Sequence, residues 1–461
     1  MLNRLTGTLL LAISLGALVA EWSGSRAIYL AAGLGVVLFL ALAAGRVPKA
    51  RLPFLAVSLG LAGWAYLARP DGLALIERGL LSSGFIVGFF VALAWLRHAA
   101  GGSPAIQRCG RYLAEQPPGR RYAALTMGGH LFGLVLSYGA IALLGSLAEA
   151  SAAREPNREI AEIRARRMLL AVQRGFISTL PWSPLAFAVA ISVSLVPGAS
   201  WAAAAPYCAV SSFLLIALGW VVDTIVKPKL KGPRPPPQTS EGDWRRLSPL
   251  IALLIVLVGT VGVLQALTGL RTIAVVMAVV PVVSLGWIGF QGRGLAGGAL
   301  GHLAARVARF AADDLTGYRS ELVLLATAGF IGTVGAALLQ PLIAATGFDI
   351  ASLPGWSVML ALVFIIPVTG QLGMNPILAV SLLAPLLPSA AALGLEPAAL
   401  IVAITAGWAL SGITSPYTAT TLLVGSFGHV SARRVGLVWN GIYVAVVTTA
   451  LGLWVVTVAL I

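Results

Sequence analysis

Charged side chains are scarce in this chain: Asp, Glu, Lys and Arg make up only 10% of its 461 residues. Hydrophobic residues reach 58%, and the mean hydropathy is +0.93. This composition excludes a soluble globular domain, because a core surrounded by water cannot use so much apolar surface. Runs of about 17–25 apolar residues recur along the chain, and each is long enough to cross a bilayer as a helix. The sequence therefore predicts an all-α polytopic membrane protein.

Residue types that carry catalysis and metal binding are also sparse. The two cysteines, Cys109 and Cys208, provide neither a disulfide framework nor a metal-ligand spacing. Of the four histidines only His130 falls in a membrane segment, where proton relay, anion contact and hydrogen-bonded packing all stay open. The sequence has neither a Walker A motif nor a nucleophile elbow. These absences predict that the chain is not an enzyme, has no catalytic residues and has no cofactor other than a candidate sodium ion.

The net charge of +15 has a topological explanation. If the N-terminus is cytoplasmic, all but four of the 31 Lys and Arg residues fall on the cytoplasmic side of the predicted spans. The exceptions are Arg26, Arg69, Arg78 and Arg271. This bias follows the positive-inside rule, and it predicts a bacterial inner-membrane protein with a cytoplasmic N-terminus and a periplasmic C-terminus at Ile461. The expected partner of the basic loops is the lipid bilayer, and no nucleic-acid partner is needed.

Eleven apolar segments are predicted to span the membrane. They are residues 5–22, 28–45, 53–68, 77–96, 167–196, 201–226, 247–268, 272–290, 321–340, 398–425 and 434–460. Two further apolar segments, 122–150 and 357–394, begin and end on one side and are predicted to be re-entrant hairpins. Arms of about 14 residues reach about 20 Å, which does not cross a bilayer core about 30 Å thick. The alternative for each is an ordinary span whose glycines allow close packing. The run 158–167 is predicted to be an amphipathic helix along the interface.

The two halves of the chain resemble each other. The decapeptides "GFISTLPWSP" (175–184) and "GWALSGITSP" (407–416) share a glycine–aromatic start and a Ser-Pro end. Two more pairs match in the same order, namely 84–93 with 329–338 and 136–144 with 372–380. Because the first hairpin enters from the cytoplasm and the second from outside, the halves are predicted to be inverted copies.

The repeat divides the chain into four predicted segments. They are an extra N-terminal helix at 1–27, a first inverted repeat at 28–226, a cytoplasmic linker at 227–246 and a second inverted repeat at 247–461. The first repeat contains hairpin 122–150 and broken helix 167–196, and the second contains hairpin 357–394 and broken helix 398–425. The linker is rich in proline and charge, which is typical of a loop.

Both decapeptides predict an interrupted membrane helix. Proline removes a helical hydrogen bond and frees backbone groups, which can attract anions at helix N-termini or hold a cation on unwound carbonyls. The alternative is a pair of kinks that ease helix packing, although the hydroxyls around both breaks favour a binding site. The predicted substrate-binding residues are Ser137, Tyr138, Gly139, Thr179, Ser183, Pro184, Gln371, Asn375, Ser411, Thr414, Ser415, Pro416 and Thr418. Sodium, if bound, is expected near Ser137, Gly139, Asn375, Ser183 and Ser415.

The order of hairpin, basic loop and Pro-broken helix, given twice and inverted, resembles the ion transporter superfamily. This group includes divalent anion/sodium symporters, citrate carriers, arsenite exporters and the large membrane subunits of tripartite periplasmic carriers. The resemblance covers about residues 28–460 and is architectural. The symporters typically carry Ser-Asn-Thr at each hairpin tip, where this chain has Ser-Tyr-Gly at 137–139 and Met-Asn-Pro at 374–376. Their broken helices often carry Thr-Pro, and the Ser-Pro pairs at 183–184 and 415–416 look like variants.

The resemblance implies a secondary transporter that moves a small anionic organic solute across the inner membrane by alternating access. Sodium and protons are the candidate coupling ions. Two alternatives stay open: a membrane enzyme or assembly subunit without transport, and an exporter of an inorganic oxyanion or arsenite on the same fold. A second copy of the chain in a homodimer and a periplasmic binding protein are the candidate protein partners.

Overall fold

Helices form nearly all of the structure. The computed structural model describes residues 2–227, 243–294, 298–347 and 349–461, and within these ranges it contains no β-strand. The α-helices are α1 Leu2–Ser23, α2 Arg26–Ala43, α3 Leu52–Ala68, α4 Gly72–Gly101, α5 Pro104–Ala114, α6 Pro118–Leu136, α7 Gly139–Ala153, α8 Arg158–Ile177, α9 Phe187–Leu195, α10 Trp201–Ile225, α11 Ser248–Thr268, α12 Thr272–Gln291, α13 Gly298–Arg309, α14 Leu315–Gly317, α15 Arg319–Ala345, α16 Gly355–Gln371, α17 Pro376–Leu383, α18 Pro397–Thr414, α19 Ala419–Phe427 and α20 Gly441–Leu460. Most of the predicted linker, residues 228–242, lies outside the described residues.

Ten helical stretches among the described residues are long and apolar enough to cross a membrane. Each coincides with one of the eleven spans predicted from the sequence. The eleventh, 167–196, is occupied by two shorter helices, α8 and α9, with an unwound stretch between them. The prediction of an all-helical polytopic membrane protein is therefore confirmed.

The helix α8 begins earlier than its apolar part. Asn157 is its N-cap, and the Oδ1 atom accepts the N–H groups of Glu159 at 3.0 Å and Ile160 at 3.3 Å. From this cap one continuous helix runs to Ile177. The prediction of a helix at 158–167 is confirmed, although these residues form the first half of the longer α8, and their position along the interface stays a prediction.

Both predicted hairpins are pairs of helices joined by a short turn. In the first, α6 and α7 are separated by two residues, so a continuous span over 122–150 is excluded. In the second, α16 is followed by a turn at 372–375 and by the eight-residue α17, which is about 12 Å long and far too short to cross a bilayer. The interruption of both segments is confirmed, and their entry into the membrane from opposite sides stays a prediction.

The chain folds into two compact units. The first unit comprises Met1–Ala100, Leu257–Ser352 and Ile377–Pro388, and the second unit comprises Gly101–Val256, Leu353–Pro376 and Ser389–Ile461. Each unit takes segments from both halves of the chain. The units are thus different from the predicted repeats at 28–226 and 247–461, and the division into repeats stays a prediction.

In the first unit α4 and α15 are the most deeply buried helices. The hydroxyl of Ser83 donates a hydrogen bond of 2.8 Å to the carbonyl of Ala326, which joins the two helices inside an apolar environment. The matched stretches 84–93 and 329–338 belong to this pair. An adjoining apolar cluster comprises Ala65, Leu75, Phe330, Val334 and Leu338.

In the second unit α18 is buried over nearly its whole length. The helices α16 and α20 pack against it, and α6 and α7 pack against α8. This unit contains both interrupted helices, the whole first hairpin and the first helix of the second hairpin. It therefore holds all the residues predicted to form a binding site.

Candidate functional site

The glycine that opens each matched decapeptide allows a close contact between helices. A Cβ added to Gly175 of α8 would lie 2.0 Å from the carbonyl oxygen of Thr126 on α6. A Cβ added to Gly407 of α18 would lie 2.6 Å from the carbonyl oxygen of Leu362 on α16. Both distances are too short for a side chain, so glycine is required for these backbones to approach. Each broken helix is thereby packed against the first helix of its own hairpin.

The first break comprises residues 178–186, between α8 and α9. The N–H groups of Thr179 and Leu180 bond to carbonyls three residues earlier, at 3.0 Å each, as the helix tightens at its end. Pro181 and Pro184 have no N–H, so the helical hydrogen-bond ladder does not continue through them. The chain becomes helical again only at α9.

Buried hydroxyls replace part of the lost hydrogen bonding in the first break. Ser183 Oγ accepts the N–H of Leu185 at 3.2 Å. Thr179 Oγ1 and Ser178 Oγ each donate to the carbonyl three residues earlier, at 2.7 Å. Such local bonds stabilise non-helical backbone, and this explains why an apolar span carries so many hydroxyls at this point.

His130 of α6 lies against the first break. Its Nδ1 atom is 2.7 Å from Ser178 Oγ. Because the Ser178 hydroxyl hydrogen is directed to a carbonyl, its oxygen accepts the hydrogen of His130 Nδ1. The imidazole also stacks on the Trp182 indole, with ring centroids 5.7 Å apart and planes inclined by 6°. His130 is half-buried, so its imidazole remains partly accessible beside the break.

The second break comprises residues 415–418, between α18 and α19. Ser415 Oγ accepts the N–H of Tyr417 at 3.2 Å and donates to the carbonyl of Gly370 on α16 at 2.7 Å. A Cβ on Gly370 would lie 2.4 Å from Ser411 Oγ, so this crossing also requires glycine. The second break is thus bonded to the end of α16, directly before the turn of its hairpin.

A threonine cluster, Thr418, Thr420 and Thr421, follows the second break. The Oγ1 atoms of Thr418 and Thr421 lie 2.9 and 2.5 Å from the carbonyl oxygen of Ser415, and Thr420 bonds to the carbonyl of Gly412. Thr418 Oγ1 is 3.0 and 3.2 Å from the other two hydroxyl oxygens. Unwound carbonyls with nearby hydroxyls form a donor set that suits a small cation such as sodium.

The ends of the two interrupted helices α8 and α18 contact each other within the second unit. Gly412 lies in the last turn of α18, and a Cβ added there would be 2.7 Å from Ile177 Cδ1 and 3.5 Å from Leu180 Cδ1. These two side chains belong to the end of α8 and the start of the first break. The same glycine provides the carbonyl that accepts the Thr420 hydroxyl. Both α8 and α18 therefore end close to this contact.

The tip of the first hairpin is a tight turn with an unusual backbone. Ser137 has φ 51° and ψ −132°, and Tyr138 has φ −56° and ψ −21°, which is close to a type II′ turn. A positive φ at the first position normally calls for glycine. The Tyr138 ring lies 5.2 Å from the Phe176 ring of α8, so the tip packs beside the first break. Gly139 begins α7.

The tip of the second hairpin follows Gln371, the last residue of α16. Gly373 has φ 92°, and the N–H of Met374 bonds to the carbonyl of Thr369 at 3.1 Å. Pro376 begins α17, where its missing N–H costs no helical bond. The turn therefore occupies residues 372–375 and overlaps the predicted tip at 374–376, of which Pro376 already belongs to α17.

The sequence-predicted site residues therefore fall into three groups. They are Ser137, Tyr138, Gly139, Thr179, Ser183 and Pro184 around the first tip and first break; Gln371 and Asn375 at the second tip; and Ser411, Thr414, Ser415, Pro416 and Thr418 around the second break. The structure brings the ends of α8 and α18 together at Gly412 and packs each of these helices against its own hairpin. The approach of the two tips and the role of all these residues in binding stay predictions.

A buried polar cluster next to the first break was missed from the sequence. Arg174 of α8 is only 3% exposed, although the sequence had placed it among the cytoplasmic basic residues. Its Nε donates to Asn440 Oδ1 at 3.1 Å and its Nη1 donates to the Tyr122 hydroxyl at 3.0 Å. The guanidinium lies 4.1 Å from the centroid of the Tyr443 ring. The cation is thus held by neutral acceptors and an aromatic face, an arrangement that requires good geometry at low dielectric.

This cluster also connects to the second break. Asn440 Nδ2 donates to Gln173 Oε1 at 3.0 Å and to the carbonyl of Val435 at 3.1 Å. Val435 belongs to a π-helical segment, Arg434–Trp439. A Cβ on Gly436 of that segment would lie 2.2 Å from the carbonyl oxygen of Thr414, the last residue of α18. A continuous set of contacts therefore runs from the end of α8 to the end of α18.

Among the residues that the structure describes, no group of three His, Cys, Asp or Glu side chains could hold a metal ion. No model of a known protein family matches the chain, and no curated protein matches it in sequence. Solved structures do match. The YdaH transporter of Alcanivorax borkumensis aligns with a TM-score of 0.56 at 17% identity, over 88% of this chain and 98% of that one.

A second match is MtrF of Neisseria gonorrhoeae, which represents a class of antimetabolite efflux pumps. It aligns with a TM-score of 0.54 at 16% identity, over 89% of this chain and 95% of that one. The matched proteins are thus transporters, and the ion transporter superfamily named from the sequence is not the family to which they belong. At these identities the likeness concerns the fold, so this chain has a fold that it shares with membrane transporters.

Proposed function

We propose that this protein is a secondary active transporter that moves a small organic anion across the bacterial inner membrane by alternating access. The observation that carries the proposal is the contact of two interrupted helices at Gly412, with each helix packed against its own hairpin. Unpaired backbone at membrane depth is tolerated where it lines a cavity or binds a ligand. The fold shared with two transporters supports the same conclusion.

An anionic substrate is supported by the local charge balance. The helices α9 and α19 both begin at a break, and helix N-termini carry partial positive charge and free N–H groups. Neither 178–186 nor 415–418 contains Asp or Glu. An anion at the breaks therefore meets favourable dipoles without a competing carboxylate from these segments.

Sodium and protons are both candidates for coupling. The oxygen atoms of the threonine cluster and of Ser415 favour sodium beside the second break. His130, hydrogen-bonded to Ser178, is the titratable group beside the first break and favours protons. The proposal also includes a cytoplasmic N-terminus, a periplasmic C-terminus, a homodimer and a periplasmic binding protein as partner. These four parts rest on the sequence arguments alone.

Export is the second candidate for the direction of transport. Export is favoured by the fold match to MtrF, which covers most of both chains. In this case the transported compound is a toxic metabolite analogue or an inorganic oxyanion and not a nutrient. The same site serves either direction, because alternating access is reversible and the gradient of the coupling ion sets the net flux.

The test begins with a search for the solute. Purified protein is heated with individual organic acids, oxyanions and sodium, and solutes that raise the midpoint of unfolding are taken forward. Counterflow of each radiolabelled hit is then measured in proteoliposomes and in empty liposomes. Saturable counterflow that needs the protein supports the carrier. Binding without counterflow under any sodium or proton gradient would contradict transport and favour a membrane enzyme or assembly subunit.

A further inference from the structure

A basic groove of about 550 Å³ lies in the second unit, and no residue of either helix break lines it. One wall is α5, which contributes Arg108, Arg111 and Tyr112, and the other is the start of the α11 segment, which contributes Arg245 and Arg246. We call this surface the arginine groove. Glu115 at its rim is the only acidic side chain that lines it among the described residues.

The walls of the arginine groove are fixed to each other. Cys109 Sγ, buried beneath α5, lies 2.9 Å from the carbonyl oxygen of Arg246. The Tyr112 ring packs edge-on against the Trp244 ring, with centroids 5.5 Å apart. The Arg246 guanidinium also lies 6.0 Å from the Tyr112 ring. These contacts hold the backbone of both walls in place, while all four arginines are exposed to solvent.

The charge in the groove is largely uncompensated. Arg245 pairs with Asp243 at 3.4 Å, and with exposures of 93% and 64% this pair is weak. No ion pair is formed by Arg108, Arg111 or Arg246 among the described residues. Guanidinium groups that line one groove are well suited to phosphate oxygens, because each can make two parallel hydrogen bonds.

The groove lies where a membrane helix begins. The stretch Trp244–Thr268 is apolar and long enough to span the bilayer, and Trp244 at its start is 46% exposed. Exposed tryptophan at the end of a span is typical of the headgroup level. The helix α5 is amphipathic, with Ile106 and Leu113 buried and Arg108 and Arg111 exposed. A groove with this charge at this level meets the phosphates of anionic lipids.

We propose that the arginine groove binds a phosphate group, carried either by an anionic phospholipid or by a free phosphate compound. The four guanidinium groups hold the phosphate oxygens, and Tyr112, which packs against Trp244, forms an apolar part of the site. The inference does not depend on transport activity, since it involves neither helix break. Its ligand chemistry is also separate, because none of the residues that line the groove belongs to a helix break.

The test compares binding to two sources of phosphate. Full-length protein in neutral detergent is titrated with short-chain phosphatidylglycerol or phosphatidylcholine and followed by native mass spectrometry. Inorganic phosphate is titrated in parallel by calorimetry. The test variant changes Arg108, Arg111, Arg245 and Arg246 to Gln. The control variant removes the same charge from four other exposed arginines by changing Arg4, Arg46, Arg154 and Arg158 to Gln.

We expect phosphatidylglycerol to bind more tightly than phosphatidylcholine, and the groove variant to lose at least about tenfold in affinity, equal to about 1.4 kcal/mol. The control variant should keep the wild-type affinity. If inorganic phosphate binds and the groove variant alone loses it, the source is a soluble phosphate compound. Unchanged affinity of the groove variant for both ligands, or an equal loss in the control variant, would overturn the proposal. Circular dichroism and the unfolding midpoint establish that both variants are folded.

Discussion

Ser183 and Ser415 make the same hydrogen bond at two distant places in the chain. Each Oγ accepts the N–H of the residue two positions later, at 3.2 Å. Each serine also precedes a proline, which ends the helical ladder and leaves main-chain groups in need of partners. The hydroxyl thus stabilises the first turn of unwound chain in both breaks. This recurrence supports the repeat seen in the sequence and explains its Ser-Pro ending.

Alanine in place of the glycine that opens each decapeptide should push each broken helix away from its hairpin. Gly175→Ala and Gly407→Ala would place a Cβ 2.0 and 2.6 Å from a carbonyl oxygen. We expect each to lower the free energy of unfolding by about 1–3 kcal/mol, as overpacked cores do. The control is Gly441→Ala, whose Cβ meets nothing within 4 Å. Thermal unfolding in detergent measures the difference, and wild-type midpoints for both test variants would contradict the close contacts.

Arg174 should contribute to stability although it has no acidic partner in its hydrogen bonds. Arg174→Gln removes the donors that serve Asn440 and Tyr122, and buried groups without partners cost about 1–3 kcal/mol each. We expect a clear fall in the unfolding midpoint and in solute counterflow, because the cluster connects the ends of α8 and α18. Arg158→Gln on the same helix is the control, since Arg158 is 93% exposed. Equal behaviour of the two variants would show that the cluster is dispensable.

The first hairpin tip should be more stable with glycine. Ser137 has φ 51°, a conformation that costs a non-glycine residue about 1–3 kcal/mol. Ser137→Gly is therefore expected to raise the unfolding midpoint, whereas Ser137→Ala, which keeps the strain, should not. If the Ser137 hydroxyl contacts the solute, both variants should bind it more weakly. A lower midpoint for Ser137→Gly than for Ser137→Ala would show that the turn is not strained in this way.

The two hairpin tips are expected to border one water-filled cavity. Single cysteines at Ser137 and Asn375 should react with a charged thiol reagent, and saturating solute should slow both reactions. The background is low because Cys109 and Cys208 are 0% and 1% exposed. Ser23→Cys, on an exposed helix end, controls for general reactivity and should be indifferent to solute. Tip cysteines that stay inert with and without solute would refute the shared cavity.

The parts of the fold that follow local rules could be predicted from the sequence. Two prolines close together in a helix interior end the helix, so the decapeptide 175–184 predicted the break after Ile177. The Ser-Pro pair that ends the decapeptide 407–416 predicted the second break, after Thr414. The length and the apolar pattern of 122–150 and 357–394 likewise predicted that both segments are interrupted. The start of α8 was misjudged because Asn157 caps a helix that continues into the membrane segment, which the amphipathic pattern of 158–167 does not show.

Features that depend on distant residues were not predictable. Arg174 looked like one more basic residue near a cytoplasmic loop, because its partners Tyr122 and Asn440 are far from it in sequence. The compact units combine segments from both halves, and the helices α16 and α17 of one hairpin belong largely to different units. The hydroxyls of Thr420 and Thr421 were visible as a polar run, but their carbonyl partners required the fold.

The transport proposal is tested most directly by counterflow in proteoliposomes reconstituted with Ser183→Ala, Ser415→Ala or wild-type protein. Both variants should insert and fold, while their initial rates fall at least about tenfold, because each loses a hydroxyl that orders the unwound backbone at the site. Ser23→Ala, an exposed serine outside the second unit, should transport at the wild-type rate. Wild-type rates in both break variants would contradict the account and return these serines to helix packing.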